Sequence, residues 1–139
     1  MDEIAARTAF EAALQTYTPG FGTFFLARYL NLDISYEEDT CLVKMPVLDF
    51  MHNPQGSLHG GIIGMVLDIS MGHLLTHVIG VGMTLEMRTQ FLRPARTGMV
   101  SATACFLKKG RSINFLESRM MDAEGKDMAV ATSTWQLLA

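Results

Sequence analysis

Cysteine is scarce in this chain: its 139 residues include two, Cys41 and Cys105, far apart and without any C-x-x-C or Cys/His ligand spacing. That count excludes a disulfide-stapled scaffold and leaves a zinc site without a ligand set. Both cysteines are expected to be reduced packing residues of a cytoplasmic protein. Positive charge is also short. Lys and Arg total 11 against 14 Asp and Glu, for a net charge of −3 and a pI near 5.7. A nucleic-acid-binding domain would carry a basic stripe and a high pI, so no nucleic-acid partner is expected. A leader pattern is missing too, because the N-terminus begins Met-Asp-Glu instead of a basic stretch before an apolar core. The apolar run Phe21 to Leu30 is broken by Arg28 and too short to span a bilayer. We therefore expect a soluble, unprocessed protein with no membrane partner.

Apolar mass is what the chain does have. At 49% hydrophobic, 139 residues suit one domain, 1–139, with room for a core. Apolar residues at Ile4, Ala5, Ala9, Phe10, Ala13, Leu14 and Tyr17 recur at helical spacing until Pro19-Gly20, which predicts an amphipathic helix over 2–17. Extended segments are expected at Ala27 to Glu37 and Thr40 to Val47, flanking the acidic turn Glu37-Glu38-Asp39 as in a hairpin, with Pro46 at a sheet margin. Residues 48–58 form a loop, and Gly60 to His77 a long helix that is apolar nearly all round and hence buried. Its interior glycines, Gly64 and Gly72, each cost about 1 kcal/mol relative to alanine, which suggests that a backbone or ligand comes close. Four strands follow, Met83 to Leu92, Met99 to Lys108, Ser112 to Met121 and Met128 to Leu137, whose short turns imply an antiparallel sheet. An α+β fold with one central helix enclosed by a curved sheet satisfies this order.

The chemistry concentrates where loop meets helix. Asn53-Pro54-Gln55-Gly56-Ser57-Leu58-His59-Gly60-Gly61 runs into the apolar segment Ile62 to Leu75, which contains a single acid, Asp68. A helix opening on glycines presents bare N–H groups to a carbonyl oxygen, and an acid in apolar surroundings is costly without a role or a partner. The plainer alternative for Asp68 is pairing with a buried donor. Apolar neighbours would raise its pKa and a nearby hydroxyl would oppose that, and the sequence leaves the balance open. His59 could orient the loop, contact a substrate, or pack over the helix entrance. His73 and His77 stand at i and i+4, a spacing that can bind metal, yet no third ligand and no H-E-x-x-H glutamate accompany them, so no metal is expected. Asp68 and His73 are separated on a regular helix by about 500°, or some 140° around the axis, poorly placed for one substrate.

The pattern Asn53, Gly56, Leu58, His59, Gly60, Gly61 with Asp68 eight residues beyond Gly60, together with Phe91-Leu92-Arg93-Pro94-Ala95-Arg96, resembles the hotdog-fold acyl-CoA thioesterases, specifically the PaaI-type branch of the 4-hydroxybenzoyl-CoA thioesterase superfamily. The resemblance covers nearly the whole chain and implies a hotdog fold with an extra N-terminal helix. It further implies that Gly60 N–H and the Asn53 amide polarise a thioester carbonyl, that Asp68 serves as general base or nucleophile, and that Thr84 helps hold the water. A helix N-terminus suits such an oxyanion. Eight residues at about 1.5 Å each separate Gly60 from Asp68 by roughly 12 Å, while a base must come within about 3 Å of its water, so a homodimer is required for the site. The family's pairing of dimers implies a homotetramer.

Arg93, with Arg96 nearby, or Lys108, Lys109 and Arg111 around Gly110 could grip the phosphates of coenzyme A, although charged turns are commonly just solvated. The eleven methionines would suit an adaptable acyl pocket or simple core filling. The expected activity is hydrolysis of acyl-CoA without cofactor, coenzyme A being part of the substrate. The alternatives are a non-catalytic acyl-CoA-binding module and, from the D-x-x-x-x-H spacing of Asp68 and His73, an enoyl-CoA hydratase.

Overall fold

The computed structural model describes all 139 residues. Helix α1, Glu3–Thr16, is opened by the Asp2 carboxylate, which accepts the Ala5 N–H, and it ends where Tyr17 turns extended ahead of Pro19. Residues expected to be extended from Ala27 instead begin in a short helix, α2, Phe25–Tyr29. Tertiary contact explains the difference. At i and i+4, Phe25 and Tyr29 stack at 6.0 Å, and both meet Phe10 of α1 edge-on, while Tyr29 also stacks on Phe50 at 5.1 Å. Only a helical turn places both rings on one side. Asn31, at φ 53°, then releases the chain into β1, Asp33–Glu37.

β1 and β2, Thr40–Pro46, form the expected hairpin, with Glu37 opposite Thr40 across the turn and Glu38 at φ 50°. A 3-10 turn at Asp49–Met51 leads to the long helix α3, Gly60–Val78. The remaining strands are β3, Gly82–Phe91, β4, Met99–Lys108, β5, Ile113–Met121, and β6, Asp127–Leu137. All six lie in one antiparallel sheet of order β1-β2-β4-β5-β6-β3. β3 thus sits at an edge beside β6, although β4 follows it in the chain. The Pro94-containing segment between β3 and β4 passes the start of α3, where Leu58 N–H donates to Ala95 O at 2.7 Å, and is tied to β6 by Leu92 N–H donating to Met128 O at 2.7 Å.

α3 lies across the concave side of the sheet and touches β2 through β6. Leu67, Met71, Leu74 and Leu75 are fully buried there, each contributing about 1.5–3 kcal/mol by leaving water. Small strand residues opposite, Ala102, Ala104, Ala129 and Ala131, let the helix come close. Cys41 packs into the same core, its thiol pushed up to about 12 by burial, so at neutral pH it behaves as an apolar side chain. α3 is long and apolar enough to cross a membrane by length and composition. In the protomer it is buried rather than laid on the surface, as expected, with one face in the core and the other half-buried. The strip Gly64, Met65, Asp68, Ile69 and Gly72 remains partly open beside the exposed β3 edge.

Candidate active site

The loop ahead of α3 is shaped by Asn53. Its side-chain oxygen accepts the N–H groups of Gln55 at 3.0 Å and Ser57 at 3.2 Å, and its backbone N–H donates to Ser57 O at 2.8 Å. Gly56 closes this turn at φ 76°, a left-handed conformation that favours glycine. With the amide oxygen committed, the amide nitrogen is left with one partner, Ser57 Oγ at 3.2 Å, so one of its two hydrogens is free for a ligand. His59 then caps α3: its Nδ1 accepts the Gly61 N–H at 2.9 Å, which puts the ring proton on Nε2. Gly60 N–H is engaged by no protein acceptor. Asn53, Ser57, Gly60 and Ile63, with Phe91 to Pro94 from the crossing segment, line a cavity of about 300 Å³. It holds two unspent donors at the positive end of a helix.

Asp68 lies two turns farther along α3, half-buried, and Thr84 Oγ1 donates to its Oδ1 at 2.8 Å. That contact depends on an irregularity in β3. Thr84 pairs with Trp135 and Glu86 with Thr134, leaving Leu85 as an extra residue, so Thr84 and Met87 both face the helix. Asp68 Oδ2 accepts nothing within the protomer. The acid borders a second cavity, of about 160 Å³, with Phe21, Phe24, Ile69, Gly72, His73, Gly82 and Trp135. One protomer therefore assembles Asn53, His59 and Gly60 in one place and Asp68 with Thr84 in another, about 12 Å apart along α3.

Arg93 borders the Gly60 cavity and its Nη1 donates to Asp127 O at 2.9 Å. Lys108, Lys109 and Arg111 lie at the other end of β4, a strand of ten residues and so about 30 Å long. Lys109 pairs with Asp39 and sits over the Phe106 ring, while Lys108 and Arg111 are exposed and make no ion pair in the protomer.

His73 shares the second cavity with Asp68 despite their angular separation on the helix. Its two nitrogens are already engaged. Nε2 meets Phe21 O at 2.9 Å and must donate to that carbonyl, so Nδ1 accepts from the Tyr36 hydroxyl at 2.8 Å. No ring nitrogen is left to handle a substrate proton. His77 stacks on Tyr36 at 4.1 Å, and no group of three His, Cys, Asp or Glu side chains is placed to hold a metal ion. Burial holds the His73 pKa below its usual 6.5, with the Phe21 carbonyl opposing. Because the folded state binds this proton less readily than the unfolded chain, the contribution of His73 to stability is fully present above pH 6.5 and is lost as pH falls below it. Thermal unfolding between pH 7.5 and pH 5 should show the melting temperature dropping toward acid, with a smaller drop in His73→Gln, which has nothing to protonate there.

Of the residues bordering the two cavities, Phe21, Phe24 and Trp135 carried no motif. The family model of the thioesterase superfamily matches residues 55–129. A Saccharolobus solfataricus protein provisionally named an esterase is 32% identical over 108 residues, 76% of each chain. This chain belongs to the thioesterase superfamily. Among solved structures, the thioesterase HI1161 of Haemophilus influenzae superposes with a TM-score of 0.74 at 27% identity, over 77% of this chain and 78% of that one. The E. coli PaaI protein superposes with a TM-score of 0.82 over 94% and 96% of the two chains at 21% identity, a likeness of fold. The helix-wrapping sheet is thus the hotdog fold, and the relatives of this thioesterase-superfamily chain support hydrolase activity on thioesters.

Proposed function

We propose that the protein hydrolyses acyl-CoA thioesters at sites shared between two subunits. The observation that carries this reading is the division within one chain: donors without a base at Gly60, and a base without donors at Asp68. A two-fold pair would set the Gly60 cavity of one subunit against Asp68 of its partner and give two equivalent sites. The partly open strip of α3 and the unpaired edge of β3, where Met83, Leu85 and Phe91 are exposed, supply an apolar seam for that pairing. Pairing of such dimers into a homotetramer belongs to the same reading.

In this mechanism Asp68 Oδ2 removes a proton from water while Thr84 steadies the other carboxylate oxygen. The water oxygen bonds to the thioester carbon, and the developing oxyanion accepts hydrogen bonds from Gly60 N–H and the Asn53 amide. The C–S bond then breaks, the electron pair leaves with the coenzyme A sulfur, and the proton returns to that thiolate. His59 acts by holding the helix entrance open at Gly60. Arg93, which borders the donor cavity and spends only Nη1 on the Asp127 carbonyl, would meet a phosphate, a role that Lys108 or Arg111 of a neighbouring subunit could share; Lys109 is already paired. This chemistry calls for no metal or redox cofactor.

A panel of acyl-CoA substrates with a thiol reagent provides the test. Saturable thiol release is expected. Loss of enoyl ultraviolet absorbance without thiol would instead favour hydration, and binding without turnover would favour a non-catalytic module.

A further inference from the structure

We infer that the cavity beside Asp68, walled by Trp135, Ile69, Gly72 and Gly82, receives the acyl group, and that Phe21 and Phe24 close it and limit acyl length. This rests on the proposed hydrolysis only in taking Asp68 as the residue next to the reacting carbonyl. The cavity measures about 160 Å³, close to the apolar volume of about 150 Å³ that accommodates a benzene molecule. Within the protomer that is room for an acyl group of about six carbons and not for a fatty-acid chain twice that length.

The walls are closely packed. Trp135 is 5% exposed, and its indole N–H donates at 2.7 Å to Ser133 Oγ, which donates in turn to Met71 sulfur. A Cβ at Gly72 would come within 2.8 Å of Trp135 Cη2, and one at Gly82 within 2.8 Å of the Gln136 carbonyl oxygen, so glycine at both positions keeps helix and strand close around the cavity. The aromatic side, with Phe21 exposed and Phe24 half-buried in the protomer, comes from a different part of the chain. His73 holds it by donating from Nε2 to Phe21 O, and the Phe21 ring meets the imidazole edge-on at 5.8 Å. Tyr36 fixes the other ring nitrogen. Phe21, Phe24 and Trp135 all fall outside residues 55–129, the stretch matched by the family model.

Trp135 is the chain's single tryptophan, so its fluorescence reports directly on this cavity. Non-hydrolysable S-hexyl-CoA and S-dodecyl-CoA should be titrated against the full chain, with calorimetry as an independent measure of binding and coenzyme A alone as control. S-hexyl-CoA is expected to change Trp135 emission saturably, coenzyme A to leave it unchanged, and S-dodecyl-CoA to bind at least about tenfold more weakly. Phe24→Ala and the milder Phe24→Leu should narrow that gap by relieving the closed end. Equal affinity for both chain lengths in the unaltered protein would overturn the proposal, as would calorimetric binding of S-hexyl-CoA with silent Trp135. An unchanged gap in a folded Phe24 variant would overturn the length limit. Absence of thioester hydrolysis together with the expected fluorescence pattern would remove the catalytic reading and keep the pocket. Brisk hydrolysis with silent Trp135 would do the opposite.

Discussion

Asp68→Asn should lower kcat for thioester hydrolysis by about 10²–10⁴, the range supplied by a positioned general base. The substitution suits the site because an asparagine oxygen can still accept the Thr84 hydroxyl that now donates to Asp68 Oδ1 at 2.8 Å. Shape and the local hydrogen bond persist while the proton acceptor is lost. Binding of S-hexyl-CoA should stay within about threefold of the unaltered protein, and kcat and kcat/KM should fall together, as when an interaction made only in the transition state is removed. Thiol release over a range of substrate concentrations measures both. Residual activity within tenfold of the starting enzyme would mean that Asp68 is a structural acid and that another group activates water.

Subunit mixing should restore activity to two inactive proteins. Asn53→Asp keeps an oxygen for the Gln55 and Ser57 N–H groups that shape the loop, but it replaces the amide donor with a negative charge facing the oxyanion. Removing one such donor costs about 10²–10³ in kcat. If each site takes Gly60 and Asn53 from one subunit and Asp68 from the other, a hybrid of Asn53→Asp with Asp68→Asn contains one intact site and one doubly defective site. Random reassortment makes about half the dimers hybrids, so the mixture should recover about one quarter of full activity from parents that each have a few per cent or less. Thiol release by the reassorted mixture measures this, and co-expression with two affinity tags isolates the hybrids, which should reach about one half of full activity. Activity that stays at the average of the two parents would place all the catalytic groups in one subunit.

Much of the fold was legible because its signals are local. Pro19-Gly20 stops α1 and Glu38 turns the first hairpin. β4 spans Met99–Lys108, as its alternation indicates, and α3 begins at Gly60 and runs one residue past the expected end. The expectation failed at residues 27–29, where aromatic contacts of α2 with α1 and Phe50 outweigh the extended pattern. α3 is buried rather than laid on the surface, as its composition indicates, but which strip of it stays half-open in the protomer was not legible, since hydropathy counts apolar residues without saying what covers them. Asn53, Gly60 and Asp68 stood out by residue type and spacing. Phe21, Phe24 and Trp135 did not, because an aromatic side chain that closes a cavity has the same composition as one that fills a core.

The sequence by itself determined which elements form, where α3 starts, and that a carboxylate stands eight residues beyond a glycine-opened helix terminus. Helix caps, turns and hydrophobic periodicity act over a few residues and can be read in order along the chain. Only the tertiary structure decided that β3 lies beside β6, that an extra residue at Leu85 turns Thr84 toward Asp68, and that His73 reaches back 52 residues to hold Phe21. Those outcomes depend on contacts between distant segments, whose register and packing are settled by which surfaces bury each other, a choice made by the folded chain as a whole.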